Sequence, residues 1–491
     1  MIKKKIKDED HRHRKYTQHS KPFHAITSCY DYITRGNGIY GRIEQDWNKT
    51  LGGAGLEKVH FIGISGIGMS GVALFAHFNG YQVSGSTDKD NQITRKMRTI
   101  TTESQNEITI TAGHRKENVK HPDIVVYTPA VSANNPEMIE AREKGIRCIP
   151  RLCFLKQLLN KQDRTVIGVT GTDGKTTTTA MLSHILKKAG SDPTTILGGR
   201  HEDLAYDNFH FGSGPVVAEI DESDGYLRDV KTDLAIVTNL RGDHLEHYGQ
   251  DFRKYRSSMM SFVKNADRSL LPSGLERGID NAQTFDEASY KDRFDNLDIF
   301  LNQYTRINAT CAVKAAEMNG IDFSDAIKAL KTFKNVDRRL TQRFNRDGLT
   351  IIDDYAHTPV EIAFTVNSLR EIWPEKRLIL AFEAHRYTRL KRDMNKFADV
   401  LSSPSINHLI LLPVFSAYEK RMPEAYDRFD DRIKAKRDNI TTCSSPDEVL
   451  TTLLETAGKE TVLLFVGAGN SSKYSREVTA RCEKKKLFLT N

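Results

Sequence analysis

The stretch "TVIGVTGTDGKTTTTAMLSHILKKAG", from Thr165 to Gly190, constrains this chain more than any other. An apolar, β-branched run of strand length meets two glycines and then a helical pattern, so it reads strand, tight loop, helix. Such a loop lets successive backbone N–H groups converge. The helix after it adds the positive end of its dipole, and together they cradle phosphate. Gly171, Thr172 and Gly174 form the loop. Lys175 supplies a point charge for the β- and γ-phosphates, and Thr176, with Thr177 beside it, a hydroxyl for Mg²⁺. The pattern departs from the usual G-x-x-x-x-G-K-[ST] because Val169 stands where the first glycine belongs. Asp173 is a second oddity, an acid in a loop built to attract anions. A plain glycine turn is the alternative, disfavoured by Gly-Lys-Thr-Thr directly after an apolar run.

A magnesium-bound triphosphate also needs hard oxygen ligands at neighbouring strand ends. "VVAEIDESD" supplies Glu219, Asp221, Glu222 and Asp224 after one apolar run, and "VTNLRGDHLEHYG" supplies Asp243 and His244 after the next. In an open parallel sheet the carboxyl ends of strands gather at one edge, so both clusters are expected beside the loop. One such acid alone is more often a helix cap or a solvated charge.

Two further strand–turn–helix regions flank this one. "EKVHFIGISGIGMSGVALFAHFNGYQVSGST" precedes it; "LTIIDDYAHTPVEIAFTVNSLREIWPEKRLILAFEAH", "HLILLPVF" and "TVLLFVGAGN" follow. A chain of 491 residues has room for about three domains. The expected fold is α/β in three domains: a Rossmann-like one at 57–160, a central P-loop ATPase-like parallel sheet at 161–333, and a Rossmann-like one at 334–491. Residues 268–306 are polar and weakly patterned, and carry no element assignment. In "GISGIGMSG" Ser65 occupies the second glycine position of G-x-G-x-x-G, and no acid follows about twenty residues on, which argues against NAD. The ligand suited to this turn is a diphosphate at a helix starting near Met69; an unoccupied tight turn reads equally well. Arg338 and Arg339 could clamp a transferring phosphate. Asp353, Asp354, His357, His385, Tyr387 and Arg389 follow strands, where loops carry function, although each singly reads as surface or cap.

Charge is uneven. The net value is +8, and the first fifty residues hold eleven Lys and Arg against six Asp and Glu. Residues 1–56 therefore read as a basic, poorly ordered extension, with a nucleic-acid or membrane-surface arm as the alternative. No apolar run reaches the length of a membrane span and no secretory core is present, so a cytoplasmic protein is expected. Six scattered cysteines lack metal-ligand spacing and read as reduced thiols.

Taken in order, "HFIGISGIGMSGVA", "GTDGKTTTT", "VVAEIDESD", "TNLRGDHLEHYGQDF", "RINAT", "RRL", "IDDYAHTPVEI", "AHRYTR" and "VGAGN" resemble the Mur ligase family, the ATP-dependent amide-bond ligases of peptidoglycan precursor synthesis. Within it the likeness is to the branch that adds L-alanine to UDP-N-acetylmuramate. The family uses G-T-x-G-K-T, which accounts for Val169. The resemblance implies Lys175 on the ATP phosphates, Thr176 and Glu219 on one Mg²⁺, and His244 on a second. It implies Asn308 and Asp354 on adenosine and Arg339 on phosphate, with His385, Tyr387 and Arg389 near the amino acid and acyl phosphate. Gly63, Ser65, Gly66, Gly68, Ser86 and His114, with 128–130, would hold the UDP-sugar. Neither nucleic acid nor membrane is an implied partner. The carbamylated lysine of later family members is not suggested, because Met259 falls near its place.

The chain departs from the family pattern at several positions. Asp173 replaces a histidine, Tyr304 and Thr305 a His-Asn pair, Glu383 and Ala384 a Gln-Pro pair, and Pro413 and Asn470 aspartates. Thr87 sits where an aspartate usually follows Gly-Ser, and the stretch from Asp243 to Asn308 is short. Asp173 is expected to face away from the phosphates, towards a basic side chain of another domain. The resulting expectation is an active but divergent ligase. A tripeptide-recycling ligase on the same sugar, a nucleotide-sugar-binding paralogue without activity, and a nucleic-acid-stimulated ATPase stay open as alternatives.

Overall fold

Each strand–turn–helix region of the sequence seeds its own sheet. The computed structural model describes residues 56–100, 107–222, 226–227, 230–242, 245–290, 294, 303–417 and 419–485. The fold is α/β throughout, with three sheets of mostly parallel strands. The first comprises β1 (Lys58–Ile62), β2 (Gln82–Thr87), β3 (Thr109–Ala112), β4 (Ile124–Tyr127) and β5 (Arg147–Pro150), in the order β3-β2-β1-β4-β5 and parallel throughout.

The middle sheet runs β12-β11-β10-β6-β9-β7-β8. Its strands are β6 (Val166–Thr170), β7 (Thr194–Ile196), β8 (Phe209–His210), β9 (Val216–Glu219), β10 (Leu234–Val237), β11 (Arg268–Pro272) and β12 (Ala282–Phe285). Only β8 is antiparallel to its neighbour. The third sheet runs β13-β14-β18-β15-β16-β17, from β13 (Thr341–Arg346), β14 (Leu349–Asp354), β15 (Arg377–Phe382), β16 (His408–Leu411), β17 (Ile440–Thr442) and β18 (Thr461–Val466), with β13 antiparallel to β14.

Strands buried on both faces need apolar side chains on both, which is why β6, β10 and most of β18 read as near-continuous apolar runs rather than alternating ones. One face of the middle sheet packs Ile167, Val169, Val217 and Leu234 against the helices Lys175–Lys188 and Gln303–Glu317. On the other face Val216, Ala218 and Val237 join a core that continues into the first sheet. Phe78 of the helix Ile67–Phe78 stacks on Phe211 at 4.9 Å and on Phe209 at 5.7 Å, so the two sheets share one apolar seam.

In an open parallel sheet ligands settle where neighbouring connections leave in opposite directions. β1 lies between β2 and β4, and β6 lies between β10 and β9, which puts the two glycine turns of the sequence at two such points.

Two expectations are corrected. The first helix begins at Ile67 with Gly66 as its cap, two residues earlier than Met69, because the glycine turn closes at once through Gly66 N donating to Gly63 O. The weakly patterned region 268–306 supplies two strands, β11 and β12; only "SLL" in β11 is fully buried, too short a run to signal a strand. The basic, poorly ordered extension expected at 1–56 lies, for residues 1–55, outside the described residues. No helix among the described residues is long and apolar enough to cross a membrane.

Candidate active site

At the end of β6 the chain turns through Gly171, whose φ of +133° is a conformation that side-chain-bearing residues avoid. A Cβ at Gly171 would overlap Thr238 Oγ1 and approach the Asn239 backbone N and O to 3.0 Å. The segment after β10 then pins the loop. Asn239 Oδ1 accepts from Asp173 N at 3.1 Å, Asn239 Nδ2 donates to Asp173 O at 2.8 Å, and Thr172 Oγ1 accepts from Arg241 N at 3.0 Å. Gly174 follows in the left-handed region and caps the helix Lys175–Lys188. These bonds spend the N–H groups of Thr172 and Asp173 on Asn239 and fix the backbone, so that the N–H groups from Gly174 onward, at the helix start, are held in place before any phosphate arrives.

Lys175 Nζ donates to Gly171 O at 2.7 Å and to Glu222, 2.9–3.0 Å away. Glu222 is wholly buried. Burial pushes its carboxyl up, to about 7, with Lys175 opposing. Burial also works against the charge of Lys175, but Glu222, Asp221 and Glu219 outweigh it and hold the ammonium above the ordinary lysine range. Thr176 Oγ1 donates to Glu219 Oε1 at 3.0 Å, and Glu219 Oε2 accepts from Gly198 N at 2.7 Å. A hydroxyl and a carboxylate oxygen thus meet beside the phosphate loop, a hard-oxygen pair that suits Mg²⁺. Among the described residues no three His, Cys, Asp or Glu stand together in a group that could hold a metal ion. His244, named for a second ion, and Asp243 lie outside the described residues.

Asp173 departs from expectation. Its partner is Arg241, 3.3 Å away and on the same sheet's β10 loop, not a base from another domain. Burial raises the Asp173 carboxyl, and Glu361 adds to the rise. The Arg241 guanidinium lies 5.3 Å from the Phe364 ring, on the helix Pro359–Ile372 beside the third sheet, so the contact reaches the third sheet indirectly.

Asn308, on the helix Gln303–Glu317, reaches the loop: a Cβ at Gly174 would overlap its Oδ1. Asp354 closes β14 and accepts from Leu340 N at 2.7 Å, Ala356 N at 2.9 Å and Thr365 Oγ1 at 3.2 Å. That carboxylate braces a turn in which Arg338 and Leu340 both have positive φ, and the turn presents Arg339 with its guanidinium 5.2 Å from the Tyr355 ring.

His385, Tyr387 and Arg389 form a separate group at the edge of the third sheet. The His385 ring stacks on Phe415 at 5.5 Å and lies 5.8 Å from His357, and Arg389 Nη1 is 3.4 Å from its Nδ1. Tyr387 is buried. Burial, then His357 and Arg389, lower the His385 imidazole to about 3. Between that value and the ordinary 6.5 the unfolded chain binds a proton that the folded chain refuses. Stability therefore falls as pH drops through this window. We expect His385→Gln to shrink the difference between melting temperatures measured at pH 7.5 and pH 5; an unchanged difference would exclude a neutral, buried His385.

Two departures from the family pattern meet nearby. Glu383 accepts from Gly469 N, Asn470 N and Ser471 N at 2.8–3.1 Å, at the start of the helix Ser471–Lys485. An acid at 470 would set a second negative charge against Glu383, which Asn470 avoids.

On the first sheet, Gly63 N and Ile64 N both donate to Ser86 O, at 3.0 and 2.9 Å, so the glycine turn hangs on β2. Ser65 Oγ meets Thr87 Oγ1 at 2.5 Å. Ser86 Oγ lies 2.9 Å from His114 Nδ1. Beneath them sits Glu137, which the sequence reading missed. In "ANNPEM" a proline at the first helical position and an acid in the first turn read as an ordinary helix start. Arg151 was missed too. Its guanidinium would be overlapped by a Cβ at Gly68, and its Nη2 donates to Asp221 Oδ2 at 3.0 Å, joining the first glycine turn to the acids of the middle sheet.

A nucleotide-fold sheet on either side of a phosphate loop, with a carboxylate-rich edge between them, places the chain among the ATP-dependent ligases that form amide bonds. Comparison with known proteins agrees. Residues 58–163 match "Mur ligase family, catalytic domain", 169–271 "Mur ligase middle domain", and 338–469 "Mur ligase, glutamate ligase domain". The UDP-N-acetylmuramate–L-alanine ligase of Thermotoga neapolitana is 32% identical over 86% of this chain and 95% of its own length. The ligase of the same name from Pseudothermotoga lettingae is 33% identical over 87% and 100%. The crystal structure of UDP-N-acetylmuramate-alanine ligase from Thermotoga maritima superposes with a TM-score of 0.71 at 29% identity, covering 87% of this chain and 99% of that one. The chain belongs to the Mur ligase family.

Proposed function

We propose that the chain joins L-alanine to the lactyl carboxylate of UDP-N-acetylmuramate, through an acyl phosphate made from ATP, in peptidoglycan precursor synthesis. The observation that carries this reading is the meeting of Lys175, Thr176 and Glu219 at one loop, in a chain similar over 86% of its length to an L-alanine ligase. Segments 57–160, 161–333 and 334–491 would act as the UDP-sugar, ATP and amino-acid domains.

The chemistry follows from charge. The lactyl carboxylate attacks the γ-phosphorus, ADP leaves, and an acyl phosphate forms. The neutral amine of L-alanine then attacks the acyl carbon, the acyl C–O bond breaks, and phosphate departs with the proton that the amine gives up. Lys175 faces the crowded β- and γ-oxygens, and the loop N–H groups hold them in line. Thr176 and Glu219 would hold one Mg²⁺ and His244 a second; when bound, such ions offset charge on the phosphate oxygens. Asn308 and Asp354 would take adenosine and Arg339 a phosphate. Gly63, Ser65, Gly66, Gly68, Ser86 and His114 would take the UDP-sugar. The neutral His385, with Tyr387 and Arg389, would meet the amino acid, accepting from its amine without repelling it.

The test is phosphate release with UDP-N-acetylmuramate against L-alanine, glycine, L-serine and the cell-wall tripeptide. Release is expected with L-alanine, lost in a chelator and regained with Mg²⁺. Turnover of the tripeptide alone would replace the alanine reading, and substrate binding without release for any acceptor would make the chain an inactive paralogue.

A further inference from the structure

The geometry points to Glu137 as a positioning residue for nucleotide-sugar binding: its buried carboxylate holds Ser86, His114 and, through Ser86, the first glycine turn in their binding arrangement. This rests on the proposal that the carboxyl edge of the first sheet takes UDP-N-acetylmuramate.

Glu137 lies in the first turn of the helix Pro136–Glu143 and is wholly buried. A carboxylate has about four acceptor sites, and four side chains reach these. Oε1 faces His60 Nε2 at 3.3 Å and Asn118 Nδ2 at 2.7 Å. Oε2 faces Ser86 Oγ at 2.7 Å and His114 Nδ1 at 2.8 Å. Burial pushes the carboxyl up, but bonds from His60, Ser86, Asn118 and His114 more than offset it and keep it below the usual range. An ionised carboxylate can only accept, so every partner must donate. His60 is then protonated on Nε2, leaving its Nδ1 to accept from Ser84 Oγ at 3.0 Å. His114 is protonated on Nδ1, so its Nε2 is the nitrogen turned outward, 3.6 Å from Asp88 Oδ1.

The effect spreads beyond two side chains. Ser86 is the residue whose carbonyl accepts both Gly63 N and Ile64 N, so a fixed Ser86 also fixes the turn. One carboxylate therefore ties together β1, β2, the loop after β3 and a helix. The cluster is not a nucleophilic Ser–His–acid relay. Ser86 and Glu137 both meet His114 at Nδ1, and an imidazole passes a proton only between its two nitrogens.

The first measurement needs no variant. Nitrogen-15 shifts of His114 in the wild-type protein should show a proton on Nδ1, and a bare Nδ1, as in the Nε2–H tautomer, would overturn the proposal. The second is steady-state kinetics of Glu137→Gln beside His114→Ala, each checked for a native melting transition. The glutamine keeps the shape but must present an NH₂ to at least one donor. We expect KM for UDP-N-acetylmuramate to rise about 10- to 100-fold, as for the loss of one or two charge-assisted hydrogen bonds, with kcat within about threefold and KM for ATP unchanged. If His114→Ala raises that KM and a folded Glu137→Gln does not, the site stands and the positioning role falls. If neither variant changes it, the assignment of the sugar-nucleotide to this edge falls as well. A general loss of kcat and of both KM values would mark Glu137 as structural only.

Discussion

Lys175→Ala is expected to cut phosphate release by about 10³-fold or more, the scale seen when a cation or donor aimed at a transferring or developing oxyanion is removed. The variant has a second, separable effect. It leaves Glu222, wholly buried, without the ammonium 2.9 Å away, and stripping one partner from a buried pair costs about 3–5 kcal/mol. Glu222 can escape part of that cost by taking a proton, because burial already holds it near 7 with Lys175 in place. A carboxyl raised in the folded state binds a proton that the unfolded chain has released, so stability falls as pH rises above the ordinary 4.5 towards the raised value. Without Lys175 the carboxyl rises further. The variant should thus lose more stability, relative to wild type, at pH 8 than at pH 6. Adding Glu222→Gln should restore the melting temperature but not the rate. A double variant that regains phosphate release would show that Lys175 serves the fold and not the chemistry.

Gly171→Ala is expected to weaken ATP binding by about 100-fold and to cost about 2–5 kcal/mol of stability. The backbone there holds φ at +133°, a strain of about 1–3 kcal/mol for a side-chain-bearing residue. The new methyl would also overlap Thr238 Oγ1 and press on the Asn239 backbone, and the bonds between Asn239 and Asp173 leave the loop no room to retreat. Losing the aim of one or two N–H bonds to a charged phosphate, at about 1.5–3 kcal/mol each, suffices for a hundredfold loss. Gly190→Ala is the control. It has φ of +83° but nothing within 4 Å of the new carbon, so it should cost about 1 kcal/mol and leave ATP binding unchanged. Thermal unfolding and ATP titration of both variants decide the matter. Equal effects in the two would mean that backbone strain alone, and not the loop's packing, is at work.

The phosphate loop is legible in the sequence because its physics is local. Strand, glycines, lysine and helix lie within one short stretch, and a glycine turn followed by Gly-Lys-Thr has few other uses. The three sheets are legible for a similar reason, since strands buried on both faces are apolar along most of their length, as β10 and β18 are. Glu137 is not legible. Nothing next to it in the chain says that His60, Ser86, His114 and Asn118 converge on it from as far as 77 residues away. Asp173 shows the same limit. Its oddity is visible in the loop, but its partner Arg241 is 68 residues on and becomes adjacent only because β10 pairs with β6.

By itself, then, the sequence determined the fold class, the phosphate loop and the order of motifs that marks a Mur ligase. These depend on periodicity and on neighbours along the chain. Only the tertiary structure decided which charges are paired: Lys175 with Glu222, Asp173 with Arg241, Arg151 with Asp221, and Glu137 with its four donors. Burial makes an unpaired charge costly, so every buried ion needs a partner. Which partner it finds depends on how strands far apart in the chain are laid side by side.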